Sequence, residues 1–193
     1  MLTKLREIVA KKITYPIARK IAALNISPNT ITIIGFFIAT LYLPLMAYGR
    51  PLLALLTIVL SGAMDILDGA VAKVTGKTTK LGSFLDSTLD RIEDIIFIFG
   101  LRFLKINDML IYSFLALSLM ISYMRAKGES LGLKVEGKGV VERAERIILI
   151  ILIIMFSTIS YNAALALMYL AIILSLISFI QRFYFITKSL KRR

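Results

Sequence analysis

The sequence predicts an all-α, polytopic membrane protein, and three observations carry that reading. Hydrophobic residues make up 58% of the chain and the mean hydropathy is +0.82, too apolar an average for a soluble domain. The apolar residues come in blocks long enough to cross a hydrocarbon core as helices, about 20 residues each. Lys and Arg gather between alternate blocks and at the two ends, as the positive-inside rule requires of a chain with an even number of spans.

The elements follow in order. Over residues 1–24, Leu2, Leu5, Val9, Ile13, Ile17, Ile21 and Leu24 recur at helical spacing among Lys4, Arg6, Lys11, Lys12, Arg19 and Lys20. This is the pattern of an amphipathic helix lying in the membrane interface on anionic lipid, kinked at Pro16. Ser27 and Pro28 suit the N-cap and first position of a first span, about Thr30 to Tyr48. After a turn at Gly49-Arg50-Pro51, a second span runs from about Leu52 to Leu67 and a third from about Leu81 to Leu104. The fourth covers about Met109 to Met124, the fifth about Ile147 to Ile159 with its helix starting near Val140, and the sixth ends near Phe185. Residues 25–193 thus form a six-span unit with a basic tail. Both termini and the connections after the second and fourth spans are basic, which predicts a multi-pass protein of the cell membrane with termini and site cytoplasmic.

One stretch does not belong to this apolar pattern. Asp65, Asp68, Asp86 and Asp90 flank a short loop carrying Lys73, Lys77 and Lys80. At i, i+3 and i, i+4 spacing each pair shares one helix face, so two acidic faces can meet. Carboxylates at membrane depth are costly and mark function by default. Pairing with Lys73, Lys77, Lys80 or Arg91 leaves too many negatives, because Glu93 and Asp94 need partners as well. The chain has no Cys and no His, which excludes disulfides, Cys nucleophiles, the usual zinc sites and His general bases. Four carboxylates therefore predict one or two hard divalent cations held by oxygen, Mg²⁺ or Mn²⁺, with open positions for phosphate. Gly69 and Gly82 leave the helix surfaces beside the acids bare, so that a bulky ligand can approach the backbone. Gly76-Lys77-Thr78 imitates the end of a P-loop, but Val71 stands where its leading glycine belongs and no strand precedes it.

A second group is basic: Arg125, Lys127, Arg143 and Arg146. Arg143 and Arg146 share a face at the start of the fifth span and suit a phosphate monoester. Positive-inside bias and a local Glu142–Arg146 pair account for them equally well. Asp94 is open in the same way, between an extension of the acidic face and a pair with Arg91.

The spacing D-x2-D-G-x2-A-K-x8-G-x3-D-x3-D, at Asp65, Asp68, Gly69, Ala72, Lys73, Gly82, Asp86 and Asp90, resembles the signature of the CDP-alcohol phosphotransferases. It departs from that family at Lys73, where Arg is usual; Lys keeps the charge and loses the bidentate fork. Pro28-Asn29, Thr32 and Gly35 resemble the family's P-N-x-x-T-x-x-G element near the nucleotide. The resemblance implies nucleotide contacts at Asn29, Thr32, Gly69, Ala72, Lys73 and Gly82. It implies two metal ions on a CDP diphosphate held by Asp65, Asp68 and Asp86, with Asp90 sharing a metal or acting as base. With no His available, Asp90, one turn deeper than Asp86, is the expected catalytic base. The segments Y-M-R-A-K-G-E-S-L-G and V-V-E-R-A-E-R resemble the inositol-phosphate-using branch, which tips the basic group toward the acceptor's phosphate.

The expected reaction is transfer of a phosphatidyl-type group from a CDP-linked lipid (CDP-archaeol or CDP-diacylglycerol) to inositol 1-phosphate, with release of CMP. Glycerol 3-phosphate is the nearest alternative acceptor. The resemblance also implies a homodimer; no nucleic-acid partner is expected. Two rivals are an intramembrane prenyltransferase, which also holds a diphosphate with Asp-rich helices, and a divalent-cation transporter. The glycine positions and single Asp hairpin argue against the first, and the clustering of the acids at one end of the spans against the second.

Overall fold

A computed structural model describes residues 14–191. Among these the regular structure is entirely helical: α1 (Tyr15–Ala23), α2 (Pro28–Thr40), α3 (Tyr42–Ala47), α4 (Pro51–Thr75), α5 (Lys80–Gly100) with a 3₁₀ turn over Leu101–Leu104, α6 (Asp108–Ser130), α7 (Arg143–Ser157) and α8 (Tyr161–Lys191). The amphipathic pattern before Thr14, Arg192 and Arg193 lie outside the described residues. So does the helix that would precede the expected kink: Pro16 stands in the first turn of α1, where a missing N–H costs nothing.

The caps explain most boundaries. Ser27 Oγ accepts the Thr30 N–H at 3.1 Å and Pro28 takes the first position of α2, as the sequence predicts. The first span breaks at Leu41, because Pro44 has no N–H to offer the Thr40 carbonyl. Helix α4 does not stop near Leu67 but runs to Thr75, where Gly76 turns it with φ +67°. Thr79 then caps α5 by accepting the Gly82 N–H at 2.9 Å. Helix α7 begins at Arg143 rather than near Val140, fixed by a capping box between Glu142 and Glu145. Helix α8 continues through the basic tail to Lys191.

Among the described residues four stretches are long and apolar enough to cross a membrane: Pro28–Ala47 (α2 with α3), α4, α6 and α8. Helix α5 carries Asp86, Asp90, Arg91, Glu93 and Asp94, and α7 has 15 residues. Those two are the helices that carry most of the charged side chains described below.

Packing divides the molecule along its length. At one end Tyr42, Phe97, Ile98, Leu101, Phe114, Ile150, Ile153 and Met168 form a buried apolar core. Tyr42 lies edge-on to Phe97, its hydroxyl donates to the Phe97 carbonyl at 3.0 Å, and its ring occupies the space a side chain at Gly100 would need. At the other end the interior is ionic. Helix α2 packs on α4 and α5, α5 on α6, and α8 on α6 and α7, while α4 and α5 make little direct backbone contact. The acidic hairpin is therefore splayed, with side chains from other helices filling the gap.

Candidate functional site

Helix periodicity puts Asp86, Asp90, Glu93 and Asp94 on one face of α5, and Asp65 and Asp68 on one face of α4. Two cavities open on either side of this acidic row. The larger, of about 220 Å³, is lined by Asn29, Thr32, Asp68, Gly69, Ala72, Lys73, Gly82 and Asp86, with the loop after α4 as one wall. All six residues expected at the nucleotide are brought together there. Buried Thr32 donates its hydroxyl to Asp68, which fixes that carboxylate on the cavity wall. Gly69 faces open space, whereas a Cβ at Gly82 would stand 2.9 Å from Asn29 Oδ1 and 3.1 Å from Thr79 Oγ1. A side chain at Gly82 would therefore displace Asn29 from its place beside α5.

The smaller cavity, about 60 Å³, is bounded by Asp90, Arg91, Asp94, Ser122, Arg125, Glu142, Arg143, Arg146 and Arg182. Arg125, Arg143 and Arg146 of the basic group converge here. Lys127 does not: it is exposed on α6, because a residue two positions from Arg125 points to another face of the helix. Arg143 Nη1 lies 2.6 Å from Asp65 Oδ2 and 2.8 Å from Asp90 Oδ1, Nη2 lies 2.6 Å from Glu93 Oε2, and Nε lies 3.5 Å from Asp94 Oδ1. Arg146, 2% exposed, pairs with Asp94 at 2.8 Å. Both local pairings open in the sequence are corrected by these contacts. Asp94 joins Arg146 and Arg143 rather than Arg91, which lies 3.8 Å from Asp90 and donates to the Ser87 carbonyl. Glu142 pairs with Arg182 at 3.0 Å rather than with Arg146.

Arg182 and Glu93 are the residues that sequence reasoning missed. Arg182, 2% exposed, donates to the carbonyls of Lys138 and Ile121 and to Glu142. Its signal was available, as an arginine inside an otherwise apolar span. Glu93, 1% exposed, accepts from Ser61 at 3.1 Å on α4 and from Arg143 on α7.

The acids fit a hard divalent cation. Asp65, Asp90 and Glu93 each offer an oxygen within 4.8 Å of the others, an all-oxygen set of the kind Mg²⁺ or Mn²⁺ takes. The four aspartates predicted as ligands are divided: Asp68 and Asp86 face the larger cavity, Asp90 the smaller, and Asp65 reaches Asp90 through Arg143.

Comparisons with known proteins identify the family. A model of the CDP-alcohol phosphatidyltransferase family matches residues 25–177. The archaetidylinositol phosphate synthase of Aeropyrum pernix is 39% identical over 189 residues, covering 98% of this chain and 97% of that protein. That of Pyrococcus horikoshii is 38% identical over 193 residues, with 99% of each covered. The crystal structure of Mycobacterium tuberculosis phosphatidylinositol phosphate synthase with CDP-DAG bound superposes with a TM-score of 0.81 at 30% identity, covering 91% of this chain and 94% of that one. The same enzyme has also been solved with manganese and citrate, at a TM-score of 0.81 and 30% identity, covering 90% and 88%. These matches set aside the prenyltransferase and the transporter. Spanning most of its length and all of its acidic hairpin, they make this chain a member of the CDP-alcohol phosphatidyltransferase family.

Proposed function

We propose that this chain transfers a phosphatidyl-type group, archaetidyl or phosphatidyl, from a CDP-linked lipid to inositol 1-phosphate and releases CMP. The observation that carries the reading is the pair of cavities reached from one face of α5, one glycine-walled at Asp86 and the other lined by arginines at Asp90. The larger fits a nucleotide diphosphate, with the Gly69 surface free for close approach and Lys73 as countercharge. The smaller fits the phosphate of an acceptor, with Arg125, Arg143 and Arg146 as donors. The relatives' names point to inositol phosphate.

In the proposed reaction the acceptor hydroxyl attacks the phosphorus that carries the lipid. The bond from that phosphorus to the oxygen of CMP breaks, and CMP leaves with the electron pair. Asp90, on the wall of the smaller cavity and one helical turn from Asp86, takes the hydroxyl proton. Asp65, Asp68 and Asp86 would hold two divalent cations, Mg²⁺ or Mn²⁺, with Asp90 the alternative partner of one of them where it is not the base. When bound, these supply positive charge against the diphosphate and the transferring group. Asp68 is held for that role by Thr32. Arg143 and Arg146 orient the acceptor, which converts a bimolecular encounter into a positioned one.

The same proposal includes six spans, with α5 and α7 as the two whose charge is screened by the bundle. It places the site and both termini on the cytoplasmic side of the cell membrane. It treats residues 1–24 as an interfacial helix and 25–193 as the catalytic unit, and takes the enzyme as a homodimer.

The test is CMP release from a CDP-lipid by purified protein with Mg²⁺, comparing inositol 1-phosphate, free inositol, glycerol 3-phosphate and serine. Release with inositol 1-phosphate and not with free inositol is expected. Release with glycerol 3-phosphate instead keeps the arginine site and overturns the acceptor, and release with free inositol or serine removes the need for a phosphate site altogether.

A further inference from the structure

We infer that Glu93, braced by Ser61, is a positioning residue that sets the orientation of the Arg143 guanidinium toward the acceptor phosphate; this rests on the acceptor-site reading above. Four carboxylates surround Arg143, but they do not act on it equally. Asp65 and Asp90 share Nη1, at 2.6 and 2.8 Å, and Asp94 lies 3.5 Å from Nε while forming its shorter bond to Arg146. Among the described residues Glu93 is the acid on Nη2, at 2.6 Å. A planar guanidinium held on both terminal nitrogens cannot turn about its Cδ–Nε bond, whereas one held on Nη1 alone can.

Glu93 is suited to hold rather than to react. It is 1% exposed and lines neither cavity, and the one oxygen it has within 4.8 Å of Asp65 and Asp90 makes a metal-ligand role the alternative that the experiment below must separate. Both of its oxygens are engaged: Oε1 accepts from Ser61 at 3.1 Å and Oε2 receives Arg143. The chain Ser61–Glu93–Arg143 therefore ties α4, α5 and α7 together at the deep end of the splayed hairpin. Asp65 and Asp90 can turn to a cation or a proton, and Arg143 then loses its partners on Nη1. Glu93 remains, and the freed edge of the fork is left to face a phosphate.

Removing one partner of a buried ion pair destabilises the fold, so a purely structural role predicts a change in folding rather than in acceptor kinetics. The experiment measures KM for inositol 1-phosphate, kcat, CDP-lipid binding, the Mg²⁺ requirement and thermal unfolding in detergent, for Glu93→Gln, Ser61→Ala, Arg143→Gln and the Glu93→Gln/Arg143→Gln double variant. Expected is a rise in acceptor KM of about tenfold for Glu93→Gln and about threefold for Ser61→Ala, with kcat and donor binding near wild type. In the Arg143→Gln background the Glu93 change should add nothing, because its effect runs through that arginine. Ser61→Ala leaves every charge in place and serves if Glu93→Gln fails to fold. Additive losses, or a fall in unfolding temperature with unchanged acceptor KM, overturn the proposal and leave Glu93 structural. A raised Mg²⁺ requirement with unchanged acceptor KM overturns it in favour of a metal ligand. If Arg143→Gln itself leaves acceptor KM unchanged, it is the acceptor-site reading that fails.

Discussion

The cavity at Asp86 and the cavity at Asp90 are one helical turn apart on α5, yet they are assembled in opposite ways. The first is built from α2, the end of α4, the loop after it and the start of α5, with four hydroxyls, two glycines and two lysines as its means. The second draws on α5, α6, α7 and α8, and its ion pairs join residues far apart in sequence: Arg143 to Asp65 across 78 positions, Arg146 to Asp94 across 52, and Arg182 to Glu142 across 40. A surface made by adjacent turns is shaped by backbone and glycine. A surface made by distant helices is shaped by charge, and its members depend on one another.

That contrast predicts where damage travels. The largest effect belongs at the boundary between the two. Asp90→Asn removes the proposed base and one partner of Arg143, and kcat should fall by about 10³-fold, with CDP-lipid binding still measurable. If donor binding is lost as well, Asp90 belongs with the larger cavity, as a metal ligand, and the division drawn here breaks down. Next is Arg146→Met, which leaves Asp94 buried with only the longer contact to Arg143. A buried charge stripped of its partner costs about 3–5 kcal/mol, so the thermal midpoint in detergent should drop sharply. Adding Asp94→Leu should restore most of the midpoint, because the pair replaced together no longer leaves a bare charge.

The same contrast decides what could be read from the sequence. The larger cavity was legible because its residues stand at short, fixed intervals: Asn29 to Thr32, Asp68 to Ala72, and Gly82 to Asp86 each mark one helix face. The Ser27 cap and the glycines were legible for the same reason. The partners of the arginines were not. Local rules offered Glu142 for Arg146 and Arg91 for Asp94, since i, i+3 and i, i+4 neighbours are the only pairs a sequence shows. Tertiary placement of α7 against α5 overrode both. Lys127 was grouped with Arg125 by proximity in sequence, and the helix turned it away. The span count differs too: the sequence reading gives six, whereas among the described residues four stretches are long and apolar enough to cross a membrane, α5 being too charged and α7 too short to be among them.

Two glycine variants sharpen the reading of the larger cavity, since they probe shape without touching charge. Gly82→Ala brings a methyl within 2.9 Å of Asn29 Oδ1 and 3.1 Å of Thr79 Oγ1. The Asn29 side chain must move, and KM for the CDP-lipid should rise about tenfold, or about 1.4 kcal/mol, with acceptor KM unchanged. A shift in acceptor KM of equal size would mean that the two cavities are mechanically one.

Gly69→Ala is the gentler variant and the more discriminating one. A Cβ there meets nothing within 4 Å, and the position lies inside α4, well before its last residue, Thr75. Alanine in a helix interior is more stable than glycine by about 0.5–1 kcal/mol, so the thermal midpoint should rise slightly. The methyl nevertheless projects from the wall of the nucleotide-side cavity, where a bound diphosphate would lie against bare backbone, and donor KM should increase a few-fold. Stability and donor affinity would then move in opposite directions, an outcome that a structural glycine cannot produce. A stabilised protein with unchanged donor KM would instead show that the ligand keeps its distance from α4, and would move the nucleotide toward the α2 and α5 walls of the cavity.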